Sequence, residues 1–189
     1  LIGDRIFVSK YTYGFSKHSF PFSPSIINGR LFYNSPSRGD LLVFKTPADN
    51  RTDYIKRLIG LPGDEIQFVQ GSIFINGKKI LRKKIDQKKI VRCGRFSFEA
   101  DMYLETLPSG FEYIAVYNKA GTMMNTQKYK VPKNNFFLLG DNRDCSKDSR
   151  YLDSVGYVSS INLVGKAQLI FFSNDTVKGS LLKFWNLGN

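Results

Sequence analysis

The sequence predicts a mainly β fold. Three observations carry that expectation: short apolar or alternating runs recur at near-regular spacing, turn signals built from Gly, Pro, Asn and Ser separate them, and helical periodicity is almost absent. With 189 residues, 42% of them hydrophobic and 14% aromatic, the chain can bury a substantial core as one globular domain with a sub-domain. No glycine period and no internal repeat points to a fibrous or solenoid class.

Each element follows from local chemistry. Residues 2–13 alternate apolar and polar side chains and read as a half-buried strand. Residues 14–37 are rich in Ser, Pro, Asn and Gly, which predicts a long loop with a short hairpin arm around Asn28 and Gly29, and places His18 in solvent. The apolar run at 41–44 is a buried strand, and Pro47 to Arg51 turns the chain. Residues 53–60 read as a strand, with a helix start as the alternative, and the Pro62-Gly63 pair suits a type II turn.

A meander follows at 65–69, 72–75 and beyond, with hairpin turns at Gln70-Gly71 and Asn76-Gly77. Residues 78–95 carry nine basic side chains and one acid. They fit an edge strand that uses lysine to block edge pairing, or a contact with nucleic acid or anionic lipid. Residues 96–135 supply more short strands, with turns at Pro108-Ser109-Gly110 and Lys119-Ala120-Gly121. A buried run at 136–139 then ends in a polar loop over 140–150, and 156–158 and 163–173 close the fold.

Composition removes several chemistries. His18 is the sole histidine, which argues against Ser-His-Asp, Cys-His and multi-histidine metal sites. Cys93 and Cys145 form no C-x-x-C pair; two free thiols are the expectation and one disulfide the alternative. No run of 18 apolar residues occurs, and Leu1 in place of Met reads as the start of a fragment or a processed product, with room for a signal peptide or anchor before it.

Two segments set charge beside apolar residues. In DYIKRLIG, strand alternation puts Lys56 on the face of Tyr54 and Leu58, opposite Ile55, Arg57 and Ile59. A lysine among apolar neighbours loses hydration, its pKa falls, and it becomes a base near neutral pH; the alternative is an ammonium that snorkels to water. The loop at 140–150 packs three aspartates, two arginines and two serines behind a buried strand, as a rigid turn cross-linked by Asp-Arg pairs would. Its Asp141, Asp144 and Asp148 lack the central glycine and terminal glutamate of a calcium loop.

The order RGDLLVFKTP, DYIKRLIGLPGD and LLGDNRDCSKDSR, followed by GKAQLIFF and preceded by LIGDRIFVSKYTYG, resembles bacterial type I signal peptidase. That family consists of membrane-bound Ser-Lys endopeptidases that remove signal peptides. The resemblance implies a catalytic β-domain over 1–64 and 136–175, an inserted β-rich sub-domain over 65–135 and a tail over 176–189. It makes Lys56 the general base and Ser146 the hydroxyl that orients it. Asp148 and Arg150, with Arg57 and Asp141, become the charged residues that brace the site.

The resemblance also makes Asp53, Tyr54 and Ile55 neighbours of an extended substrate, with Ile55 as a wall of a small-residue pocket. It implies an anchor in the cytoplasmic membrane, a catalytic domain on the outer side, signal peptides of preproteins and the lipid surface as partners, and no cofactor. Phe15, Phe20 and Phe22 are candidates for contact with lipid. The family's nucleophilic serine falls upstream of Leu1, about six residues by the family spacing, so the chain alone is expected to be inactive. Cys145 departs from the Asn common at its position. Two alternatives stand beside this reading: a basic β-domain binding nucleic acid through 78–95 with Phe96, Phe98 and Tyr103 as stacking surfaces, and a non-catalytic interaction domain with the peptidase fold. Nucleic acid is the less expected partner, because the charge is concentrated in the variable insertion.

Overall fold

The computed structural model describes residues 5–20, 29–118, 123–172 and 185–186. Fourteen strands and two short 3₁₀ helices are described. The strands are β1 (Arg5–Ser9), β2 (Leu41–Lys45), β3 (Asp53–Gly60), β4 (Glu65–Val69), β5 (Ser72–Ile75), β6 (Lys78–Lys79) and β7 (Leu81–Cys93). They continue with β8 (Phe96–Thr106), β9 (Glu112–Tyr117), β10 (Tyr129–Lys130), β11 (Asn135–Leu139), β12 (Val158–Ser159), β13 (Leu163–Phe172) and β14 (Trp185–Asn186). The fold is mainly β, as the sequence predicts.

Three sheets result. The largest runs β1-β13-β2-β3-β11-β12, with β14 also on β13; the second runs β10-β4-β5-β6 and the third β7-β8-β9. Turn chemistry sets the registers. Gly63 has φ +90, as the third residue of a type II turn requires, and the Asp64 N–H closes that turn on the Leu61 carbonyl at 3.0 Å. The pairs Gln70-Gly71 and Asn76-Gly77 both have positive φ at both residues, the type I′ geometry that matches strand twist.

A shared core joins the sheets. Ile59, Phe137 and Leu139 of the large sheet pack with Ile66, Phe68, Ile73, Ile75, Tyr113 and Ala115. A second cluster on the large sheet holds Leu42, Phe44, Leu58, Phe136 and Leu138, with Tyr54 against it, and a smaller one holds Val43, Val164 and Ala167. The basic segment lies in β6 and β7, and β7 is an outer strand of its sheet. Lys84 and Lys88 there pair with Asp101 and Glu99 at 2.8 and 2.7 Å.

Two expectations fail. His18 is buried rather than solvated: residues Lys17–Ser19 form a 3₁₀ turn closed by a Ser16–Ser19 capping box, which folds the loop inward. Burial, then the charges of Lys17, Lys45 and Arg30, push the His18 pKa below its ordinary value. Cys93 and Cys145 are paired rather than free, with Cα atoms 5.5 Å apart. Separation by 52 residues hid the pairing from local pattern. The turn at Lys119-Ala120-Gly121, Asn28 of the hairpin arm, Phe22, residues 1–4 and all of the tail except 185–186 lie outside the described residues.

Candidate active site

β3 carries the centre. It lies between β2 and β11, but β11 reaches only Arg57, Leu58 and Gly60, so among the described strands residues 53–56 pair with β2 alone. The register sets Leu42 opposite Lys56 and Phe44 opposite Tyr54. Lys56 therefore shares its face with Tyr54 and Leu58, as the alternation predicts. Its Nζ stands 5.4 Å from the centre of the Tyr54 ring, and no ion pair or hydrogen bond meets it among the described residues. Desolvation lowers the Lys56 pKa, the charges of Asp148 and Asp141 raise it, Arg150 lowers it, and the net direction is down. Ile55, on the opposite face, is 37% exposed. Asp53 is exposed and ion-paired to Lys45 at 2.9 Å.

The loop after β11 supplies the charges around it. Arg150 grips Asp148 with two parallel bonds, Nε to Oδ1 at 2.8 Å and an NH2 to Oδ2 at 2.9 Å, and the Gly140 N–H donates to Asp148 at 3.0 Å. This pair is fully buried, and its fork geometry closes the loop on itself. Arg57 forks onto Asp141 at 2.8 and 2.7 Å and donates to the Gly39 carbonyl at 2.7 Å, so β3 is tied to the loop. Ser146 is buried, and its hydroxyl is the one buried side-chain polar atom without a partner among the described residues. Room for it exists because position 140 is glycine; a Cβ there would run into the Ser146 hydroxyl.

Four residues at the back of this loop escape the sequence reading. Arg143 and Glu105, each 1% exposed, form a buried ion pair at 2.7 Å. The Tyr113 and Tyr117 hydroxyls donate to the same carboxylate at 2.6 and 2.5 Å. Burial pushes the Glu105 carboxyl up, but the Arg143 guanidinium and the two hydroxyls outweigh it and hold the pKa below the ordinary value. Burial pushes the Tyr117 phenol up to about 12. The loop backbone also joins the third sheet. The Val116 N–H donates to the Asp141 carbonyl at 2.8 Å and the Arg143 N–H to the Val116 carbonyl at 3.0 Å, a parallel bridge along β9. No local signal singles Glu105 out, since β8 also carries Glu99 and Asp101 and the three acids differ only in burial.

Among the described residues no three His, Cys, Asp or Glu side chains are placed to hold a metal ion. What the arrangement offers is a desolvated amine, a nearby buried hydroxyl-bearing loop and charges locked in pairs around them.

The family model for signal peptidase, peptidase S26, matches residues 1–172. The chain belongs to this family. Signal peptidase I of Rickettsia typhi is 42% identical over 184 residues, covering 92% of this chain and 67% of the relative. That of Rickettsia conorii is 43% identical over 188 residues, covering 92% and 66%. The chain thus spans about two thirds of the length of these signal peptidases. A crystal structure of a signal peptidase I from Enterococcus faecalis is 24% identical, covers 70% of this chain and 97% of that one, and superposes with a TM-score of 0.40. Membership makes this a chain of a peptidase family, and it lends the nucleic-acid alternative no support.

Of the residues expected at a signal peptidase site, Asp148 and Arg150 bond to each other and Arg57 bonds to Asp141. The fields of Asp148, Asp141 and Arg150 all act on Lys56. Ser146 makes no hydrogen bond to Lys56. Asp53, Tyr54 and Ile55 lie along the open half of β3, with Tyr54 edge-on to Phe44 at 6.2 Å between ring centres.

Proposed function

We propose that this chain is the catalytic part of a signal peptidase that cleaves signal peptides from exported preproteins after small residues, with Lys56 as the general base. The observation that carries the reading is the state of Lys56: desolvated on a β-strand, unpaired among the described residues, with its pKa lowered. An ammonium held that way gives up its proton at lower pH than a solvated lysine, which is what activating a serine hydroxyl demands. The serine comes from the segment upstream of Leu1. It attacks the scissile carbonyl, Lys56 takes its proton and passes it to the leaving amine, and water then releases the acyl-enzyme. The Ser146 hydroxyl, which bonds nothing among the described residues, is left free to aim the amine in the complete site. The Asp148–Arg150 and Arg57–Asp141 pairs hold that loop in register with β3.

The substrate is an extended chain ending in small residues, and it docks on the half of β3 at 53–56 that β11 leaves open. Tyr54 and Ile55 flank it, and Ile55 walls the pocket that rejects large side chains. The catalytic part works on the outer face of the cytoplasmic membrane, where a disulfide such as Cys93–Cys145 persists. Phe20, Phe32 and Tyr33, all exposed, make its lipid contact. The test is cleavage of a preprotein ending in Ala-x-Ala by the full-length protein with its own N-terminus. Lys56→Ala is expected to lower the rate by about 10²–10⁴-fold, and histidine reagents are expected to leave it unchanged. Full cleavage by Lys56→Ala would overturn the mechanism.

A further inference from the structure

We propose that the Cys93–Cys145 disulfide is a positioning device for the Lys56 site: intact, it holds the loop carrying Ser146 against the three-stranded sheet, and reduced, it releases that loop and weakens the base. The inference rests on the role given to Lys56 above. Its support is where the bond falls. Residues 141–145 are tied outward to the third sheet at every second residue or closer: backbone bridges from Asp141 and Arg143 to Val116, the Arg143–Glu105 pair, the Asp144 carboxylate to the Asn118 N–H, and Cys145 to Cys93. The disulfide is the last of these ties and the only covalent one. The next residue is Ser146, whose hydroxyl has no bond of its own among the described residues. Its place is set by its neighbours, and Cys145 is the neighbour fixed to another sheet.

Both cysteines are half-buried, so a thiolate can reach the bond. Reduction by an external dithiol breaks one S–S bond and forms two S–H groups. The reductant gives up two electrons and two protons and becomes a disulfide itself. A freed 144–147 segment admits water to Ser146 and, through the adjoining Asp148, to the amine on which the Asp148 charge acts. Rehydration favours the ammonium, so less neutral Lys56 is present at a given pH.

The test compares the full-length protein oxidised, the same protein reduced with dithiothreitol, and Cys93→Ser and Cys93→Ser/Cys145→Ser variants. Non-reduced peptide mass spectrometry establishes the pairing. Competitive acylation of the Lys56 amine across pH, read by mass spectrometry, gives its titration midpoint without any need for cleavage, and a preprotein cleavage profile runs alongside. The expected result is a midpoint about one pH unit higher on reduction and in both variants, with about a tenfold lower cleavage rate near neutrality that recovers at alkaline pH. A midpoint that stays put while the melting temperature falls would make the bond an ordinary cross-link and overturn the proposal. Unpaired cysteines in the oxidised protein would overturn it as well. If no state cleaves at any pH and the midpoint still moves, the positioning role stands and the peptidase mechanism fails.

Discussion

Arg143 and Lys56 are both cations withdrawn from water, and they end in opposite states. Arg143 meets a carboxylate, two phenol hydroxyls and the Gly140 carbonyl, and its pKa is held well above the ordinary value despite burial. Lys56 meets an aromatic face and no hydrogen-bond partner among the described residues, and its pKa falls. Desolvation is common to both; the supply of partners decides the outcome. The matched cation is a fixed charge that anchors a loop, and the unmatched one is the proton acceptor of the proposed mechanism.

The sharpest way to break this contrast is Glu105→Ala. It strands the Arg143 guanidinium in the core, and denaturant unfolding is expected to register a loss of about 3–5 kcal/mol. A loss under about 1 kcal/mol would mean that the guanidinium finds water and that the pair is not a core element. Lys56→Met strands nothing and removes a desolvated ammonium, so stability is expected to hold or rise even as catalysis disappears. A stability loss above about 1 kcal/mol would place Lys56 with the structural cations instead.

Titration separates the two sites further. The Glu105 pKa is lowered in the folded chain, so its stabilisation is in full force above the ordinary carboxylate value of 4.5 and is lost as pH falls through the folded value. Glu105→Gln is expected to flatten that acid limb of the unfolding profile. Cleavage by the full-length protein is expected to run the other way, rising with pH as Lys56 gives up its proton at a lower pH than a solvated lysine would. The smallest effect belongs to the exposed pairs of β7: Lys88→Ala is expected to leave the denaturant midpoint unchanged, since the Lys88–Glu99 pair lies in water.

Local chemistry made much of the fold legible. The alternation in DYIKRLIG gives both the strand and the face of Lys56, and the pairs Pro62-Gly63, Gln70-Gly71 and Asn76-Gly77 each dictate a turn that the structure contains. The polar loop at 140–150 reads as a set of Asp-Arg pairs, and Asp148–Arg150 is one of them because the partners are two residues apart. What stayed hidden depends on residues brought together across the chain. Glu105 and Arg143 are 38 residues apart and Cys93 and Cys145 are 52 apart, and no periodicity connects them. His18 was misplaced for a related reason: a Ser- and Pro-rich stretch reads as solvated, whereas its serines cap a turn that carries the imidazole inward.

The parallel bridge between Val116 and the loop at 141–143 has a consequence for the order of assembly. Val116, Glu105 and Cys93 all precede the loop in the chain, so a polypeptide emerging from its N-terminus completes the template before the segment that lies on it exists. Each of these contacts also closes a long stretch of chain, which delays its formation relative to the hairpins at 69–72 and 75–78. The third sheet is then a mould, and the loop whose charges act on Lys56 is cast against it among the last parts to set.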